Sequence, residues 1–186
     1  MTATTADVRS RVLLAARAEF AERGLAGARI DRIAAEARAS KERLYAYFSD
    51  KVTLFRAVLD LNAAEFHEAI ALDPDDVPGF VAAAYDHAVA HPEHLRVLTW
   101  ARLEGIPYRL PAERDATPAP VAALREAQRR GTVDPSWHPE ELLELLFALA
   151  HTWVHTPIPA EELSTDVASH RRAAVEAARR LVAART

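Results

Sequence analysis

Ser40-Lys41-Glu42-Arg43-Leu44-Tyr45-Ala46-Tyr47-Phe48-Ser49-Asp50-Lys51 places two helix starts a few residues apart. A serine or aspartate just ahead of a helix accepts a hydrogen bond from an amide that has no partner within the helix. Ser40 is suited to cap one helix and Asp50 the next. Between them fits at most a helix of two turns. Leu44 and Phe48 share a face at i, i+4 spacing and point inward, which leaves Lys41, Arg43, Tyr45 and Tyr47 outward or sideways. Lys41 and Lys51 are the only two lysines of the chain. A short helix whose free face carries cations and phenols is a candidate reading head for DNA, or an ordinary solvated face.

The flanking sequence decides between these. Upstream, Val8, Val12, Leu13, Ala15, Ala16 and Phe20 form an apolar stripe at helical spacing, which predicts a first helix over 8–23 with Gly24 at its end. A short second helix over 29–37 buries Ile30, Ile33 and Ala34, and Arg38-Ala39 makes a tight turn into Ser40. Two short helices joined by a tight turn and braced by a longer one follow the helix-turn-helix plan. Downstream, a fourth helix begins after Asp50 and reaches about residue 72, where Asp73-Pro74-Asp75-Asp76 breaks it.

Charge separates along the chain in the same way. The net charge is −4 over 186 residues. Residues 1–56 carry 11 Lys and Arg against 7 Asp and Glu, whereas residues 57–186 carry 12 against 20. A basic head on an acidic body puts the phosphate-facing surface at the N-terminal end. There is no cysteine, which excludes disulfides and thiolate metal sites. The polar start has no secretory pattern and no apolar run is long enough to span a bilayer, so a cytoplasmic protein without a membrane partner is expected.

The body reads as all helix. Helices are expected over 78–90, from Pro92 to Gly105, over 118–130, over 139–156 and over 165–184, with a proline-containing loop over 106–117. The second of these is expected to bury Leu95, Leu98, Leu103 and Trp100. The helix from Pro139 is hydrophobic nearly all round, through Leu142, Leu143, Leu145, Leu146, Phe147 and Leu149. One partner face cannot cover it, so it is central or lies at a subunit interface. The fold class is therefore all-α, with about nine helices.

Residues 11–58 resemble the N-terminal domain of TetR/AcrR-family transcriptional regulators. The resemblance rests on Ala15-Ala16, Phe20, Gly24, Ile33-Ala34, Ser40-Lys41, Leu44-Tyr45, Tyr47-Phe48 and Lys51 at the family's spacing. It implies a helix-turn-helix DNA-binding domain over 1–50 and a helical ligand-binding and dimerisation domain over 51–186. The implied function is a ligand-responsive repressor that leaves a palindromic operator when a small-molecule effector binds. The implied assembly is a homodimer through the last two helices, with no cofactor and no catalytic residue. Arg29, Ser40, Lys41, Glu42, Arg43 and Tyr45 take DNA-contacting positions, and Tyr47 and Lys51 match phosphate clamps. One tyrosine ring is expected to pack against the first helix, Tyr45 rather than Tyr47, with a base or phosphate contact as the equal alternative for Tyr45. The chain departs from the family pattern at Arg38, where glycine is usual, at Glu42, where a small residue is common, and at Ala46, where histidine is frequent.

Tyr85, Trp100, Tyr108, Phe147, His151 and Trp153 are candidates for lining an effector pocket, with plain core as the alternative for each. His151 and His155 stand at i, i+4, a spacing that can hold a metal, so a metal-dependent hydrolase is one alternative to the regulator. Their segment lacks a zinc-protease glutamate, and no metal site is assigned. A small-molecule-binding protein without DNA binding is the other alternative. Of the remaining histidines, His87, His91 and His94 gather around a helix junction, His91 as a cap or surface group.

Overall fold

The computed structural model describes residues 5–107, 118–153 and 166–183, with side chains from Val8 onward. Among the described residues there are nine helices and no strand: α1 Thr5–Gly27, α2 Ile30–Glu36, α3 Lys41–Tyr47, α4 Lys51–Ala69, α5 Val77–Ala90, α6 Pro92–Leu103, α7 Ala119–Arg130, α8 Pro139–His151 and α9 Val167–Val182. The chain divides into two compact units. One comprises Met1–Glu65 and His91–Pro111, the other Phe66–Ala90 and Ala112–Thr186.

In the first unit α1 packs against α2, α3 and α6. Its core contains Val12, Ala16, Phe20, Ile33, Leu44, Phe48, Leu54, Phe55, Val58 and Val97, all buried. The rings of Phe20 and Phe55 meet edge-on at 4.9 Å. Burying each such ring contributes roughly 1.5–3 kcal/mol, so the apolar stripe is what turns these helices into one body. Gly24 interrupts α1 with φ 67 and ψ −177. After it the chain is held from two sides. Glu104 accepts from the amides of Leu25 at 2.9 Å and Ala26 at 3.1 Å. Lys51 Nζ donates to the carbonyls of Ala26 at 3.2 Å and Ala28 at 3.0 Å.

Leu103 corrects one expectation. It is 72% exposed, because the buried face of α6 runs through His94, Val97 and Ala101, and Leu103 falls nearly opposite. Leu95 is buried, while Leu98 and Trp100 are half-buried against the same core.

In the second unit α5 packs on α8 and α9, and α7 on α8. Phe80, Val81, Ala84, Leu124, Val133, Leu142, Leu146, Ala150, Ala174 and Ala178 make its core. Gly131 ends α7 in the left-handed conformation with φ 75, and its N–H returns to the last turn. α8 buries only part of its apolar circumference. Leu145 is 39% exposed and Ala148 is exposed, so within the described chain one face of α8 is uncovered. That face, with Leu149, Thr152, Ala177 and Leu181, lines an open groove of about 250 Å³.

Candidate nucleic-acid interface

The two short helices meet as the sequence predicts. Ser40 has extended backbone and its hydroxyl accepts from the Arg43 amide at 3.2 Å. Asp50 accepts from the Thr53 amide at 2.7 Å and so opens α4. The turn between α2 and α3 is closed by two hydrogen bonds, from the Arg38 amide to Ala35 O at 3.1 Å and from the Ala39 amide to Ala34 O at 3.0 Å. That pairing is a Schellman cap, which needs a left-handed residue at its centre. Arg38 supplies it with φ 51. The turn therefore keeps the geometry a glycine would give, at a strain of roughly 1–2 kcal/mol for a residue with a Cβ. From α1, Arg11 Nε donates to Ala37 O at 3.1 Å and braces the turn.

The outward face of α3 carries Lys41, Glu42, Arg43, Tyr45 and Ala46, all exposed. Leu44 and Phe48 face the core. Tyr45 is 47% exposed, and the ring packed on the core is Tyr47. The reason is register: Tyr47 stands next to Phe48 as the helix ends, with the two rings 6.4 Å apart. Arg43 forms no ion pair among the described residues, so its guanidinium fork stays free for an external acceptor. Arg29, at the start of α2, is exposed, and its amide donates to Glu19 at 2.9 Å.

Two acids sit among these cations. Asp31, in the first turn of α2, pairs with Lys41 across the helix pair and lies 3.9 Å from Arg29. The hydrogen bond from Lys41 holds the Asp31 carboxyl below its ordinary value, and the same bond raises the Lys41 ammonium. Lys41 keeps N–H groups for an outside acceptor, but the Asp31 carboxylate beside it offsets its charge toward a phosphate. Asp31 was not foreseen, although an acid flanked by arginines in Arg29-Ile30-Asp31-Arg32 was a readable signal. Glu42 is held in its anionic form, chiefly by its own helix-start amide and then by the Ser40 side chain. It is an acceptor and a local repulsion toward phosphate. Lys51 spends two of its three N–H groups on the Ala26 and Ala28 carbonyls, which leaves one for a partner outside the protein.

The aromatic candidates separate. Tyr85, Phe147, His151 and Trp153 belong to the second unit. Tyr85 is buried, its hydroxyl donates to Val167 O at 3.2 Å, and its ring meets Trp153 edge-on at 6.3 Å. Burial raises the Tyr85 phenol above its usual value. Phe147 stacks on His151 at 5.8 Å and touches Phe80 and Phe66. His170, which the sequence did not single out, stacks on Trp153 at 4.7 Å. Trp100 stands apart in the first unit, where its Nε1 donates to Ala21 O at 3.4 Å. Tyr108 and His155 lie outside the described residues. No helix among the described residues is long and apolar enough to cross a membrane.

Residues 12–58 match the family described as bacterial regulatory proteins, tetR family, and residues 76–180 match the tetracyclin repressor-like C-terminal domain. The chain is 44% identical over 152 residues to the HTH-type transcriptional repressor SCO4008 of Streptomyces coelicolor, covering 80% of this chain and 79% of that protein. It is 33% identical over 102 residues to the HTH-type transcriptional repressor NicS of Pseudomonas putida, covering 51% of this chain and 48% of that one. Among solved structures it resembles the transcriptional regulator SCO4942 of Streptomyces coelicolor, with a TM-score of 0.82 and 40% identity over 94% of this chain and 98% of that one. Regulators of this kind bind operator DNA and small-molecule effectors, act as dimers, and are not enzymes. With one model matching the helix-turn-helix and another matching more than half of the sequence, the chain belongs to the TetR family of helix-turn-helix transcriptional regulators.

Proposed function

We propose that this regulator is a cytoplasmic repressor whose α3 reads a palindromic operator. The observation that carries the reading is Arg43, an exposed and uncommitted guanidinium on a capped helix whose other face is locked into the core. Arginine pairs in a bidentate way with guanine acceptors in the major groove. Glu42 accepts from a cytosine amine or excludes other bases there. Arg29, Ser40, Lys41, Tyr45, Tyr47 and the remaining Lys51 N–H serve phosphate and groove contacts around it. Asp31 weakens non-specific binding by offsetting the charge of Lys41 beside the phosphates.

A homodimer through α8 and α9 presents two copies of α3 about 34–36 Å apart, one helical turn of DNA. The open groove between those helices supports this interface. Leu145→Asp places a carboxylate in it, and sedimentation is expected to show conversion of dimer to monomer. A variant that stays dimeric sets this interface aside.

The effector is a small aromatic or apolar molecule met by Tyr85, Phe147, His151 and Trp153. It shifts the dimer toward a state that releases DNA, which needs a preference of only a few kcal/mol between the two states.

The test is fluorescence anisotropy on duplex DNA from the regulator's own upstream region, titrated at several salt concentrations. Six to ten phosphate contacts lower the affinity by roughly 10³–10⁵-fold between 50 and 200 mM salt. Absent binding, or binding that ignores salt, rejects the reading.

A further inference from the structure

We propose that Glu65, His91, Glu93 and His94 form a binding site for a divalent transition ion of the zinc class, with Arg17 as the resident cation that the ion displaces. The site lies wholly within the first unit. His91, Glu93 and His94 open α6, and Glu65 stands on α4 immediately before the chain leaves this unit.

Three of the four donors are already gathered, and Glu65 reaches the group through His94. The ligating atoms of His91, Glu93 and His94 all lie within 4.8 Å of one another. Glu93 Oε1 is 3.7 Å from His91 Nδ1 and 3.7 Å from His94 Nε2. Glu65 Oε2 is 3.1 Å from His94 Nε2. A tetrahedral ion about 2.0–2.2 Å from each donor holds them about 3.3–3.6 Å apart, so three of the separations need only small adjustments. The His91 ring is exposed and stacks on His94 at 5.1 Å, which leaves it room to turn inward. Two neutral imidazoles and two carboxylates balance a 2+ charge, and this mixed N and O set suits zinc over magnesium or calcium.

The present occupant fits poorly. Arg17 Nη1 donates to Glu65 Oε2 at 2.5 Å and to Asn62 Oδ1 at 3.3 Å, and it lies 2.9 Å from His94 Nε2. One ring nitrogen therefore faces both an N–H donor and a carboxylate. A lone pair there suits the guanidinium and repels the carboxylate; a proton there does the reverse. Beside it the buried Asn62 Nδ2 has no hydrogen-bond partner among the described residues. A metal ion resolves the conflict, because it accepts the imidazole lone pair and both carboxylates together. Its arrival frees Arg17 from α4 and α6. Arg17 lies on α1, the helix that braces the α2–α3 turn, so occupancy bears on the DNA-reading head.

The experiment titrates the chelator-treated full-length protein with Zn²⁺ alone and with Co²⁺ alone. One ion per chain is expected, with the visible ligand-field bands of tetrahedral Co²⁺. His91→Ala, an exposed change that leaves the core intact, and Glu65→Gln should each weaken binding by at least about 10–100-fold, the loss that removing a mere outer-shell partner causes. Arg17→Gln should tighten it, with thermal melting followed by circular dichroism to confirm that the variant folds. His67→Ala, an exposed histidine of α4 outside the cluster, should leave it unchanged. Sub-stoichiometric binding, unchanged affinity in His91→Ala and Glu65→Gln, or equal loss in His67→Ala overturns the site. Unchanged or weaker binding in a folded Arg17→Gln overturns the role of Arg17.

Discussion

Gly24→Ala is expected to lower stability by about 2–6 kcal/mol, a large share of the roughly 5–15 kcal/mol that holds a domain folded. Two costs add. The backbone at φ 67, ψ −177 lies in a region that is essentially glycine's alone, and forcing another residue there costs about 1–3 kcal/mol. A Cβ built on Gly24 would also lie 2.6 Å from Glu104 Oε1 and 2.7 Å from the Trp100 ring. Overpacking of that kind costs roughly another 1–3 kcal/mol. Neither neighbour moves freely, since Glu104 holds two amides and the Trp100 ring donates to Ala21. Gly131→Ala is the control. It has positive φ but nothing within 4 Å of the added carbon, so only the backbone cost applies. Urea midpoints compare the two, and equal losses would show that the crowding at Gly24 has no energetic weight.

Arg43→Ala should leave the fold intact, because the side chain is exposed and unpaired among the described residues. Its effect belongs to the operator. A bidentate arginine–guanine pair contributes roughly 1–3 kcal/mol of discrimination, and a dimer uses two of them. Operator affinity is then expected to fall by about 2–6 kcal/mol, on the order of 30-fold to 10⁴-fold. Binding to a scrambled duplex should change far less, because phosphate contacts dominate there. If both duplexes lose equally, Arg43 is a phosphate contact; if the operator loses nothing, α3 is not the reader.

Much of the helical frame was legible because its signals are local. Ser40 and Asp50 cap the helices they precede, and the stripe from Val12 to Phe20 faces the core. The expected helix boundaries for α2, α5 and α7 fall within a residue of those observed. What escaped the sequence depends on residues far apart in it. The arginines around Asp31 mark an acid among cations but not its partner Lys41, since their meeting needs the turn between the helices to be closed first. The left-handed Arg38 could be feared from its residue type but not placed. That α6 belongs with the head has no local mark, because its buried face is set by contact with α1, and Leu103 looked as apolar as the residues that do face inward. The split between Trp100 and the other aromatics has the same origin.

The clamp on the chain after α1 bears on the order of synthesis. Leu25 and the carboxylate that holds its amide are separated by 79 positions. The head therefore emerges from the ribosome without Glu104, Val97 and Ala101, and with its kinked connector untied on one side. Its helices can form early, but the surface on α1 meant for α6 stays bare until the chain has gone through α5 and come back. The second hold on the connector then forms only after Glu104 has left the ribosome, with well over half of the chain made, so a shorter nascent product carries its DNA-reading helices without that clamp.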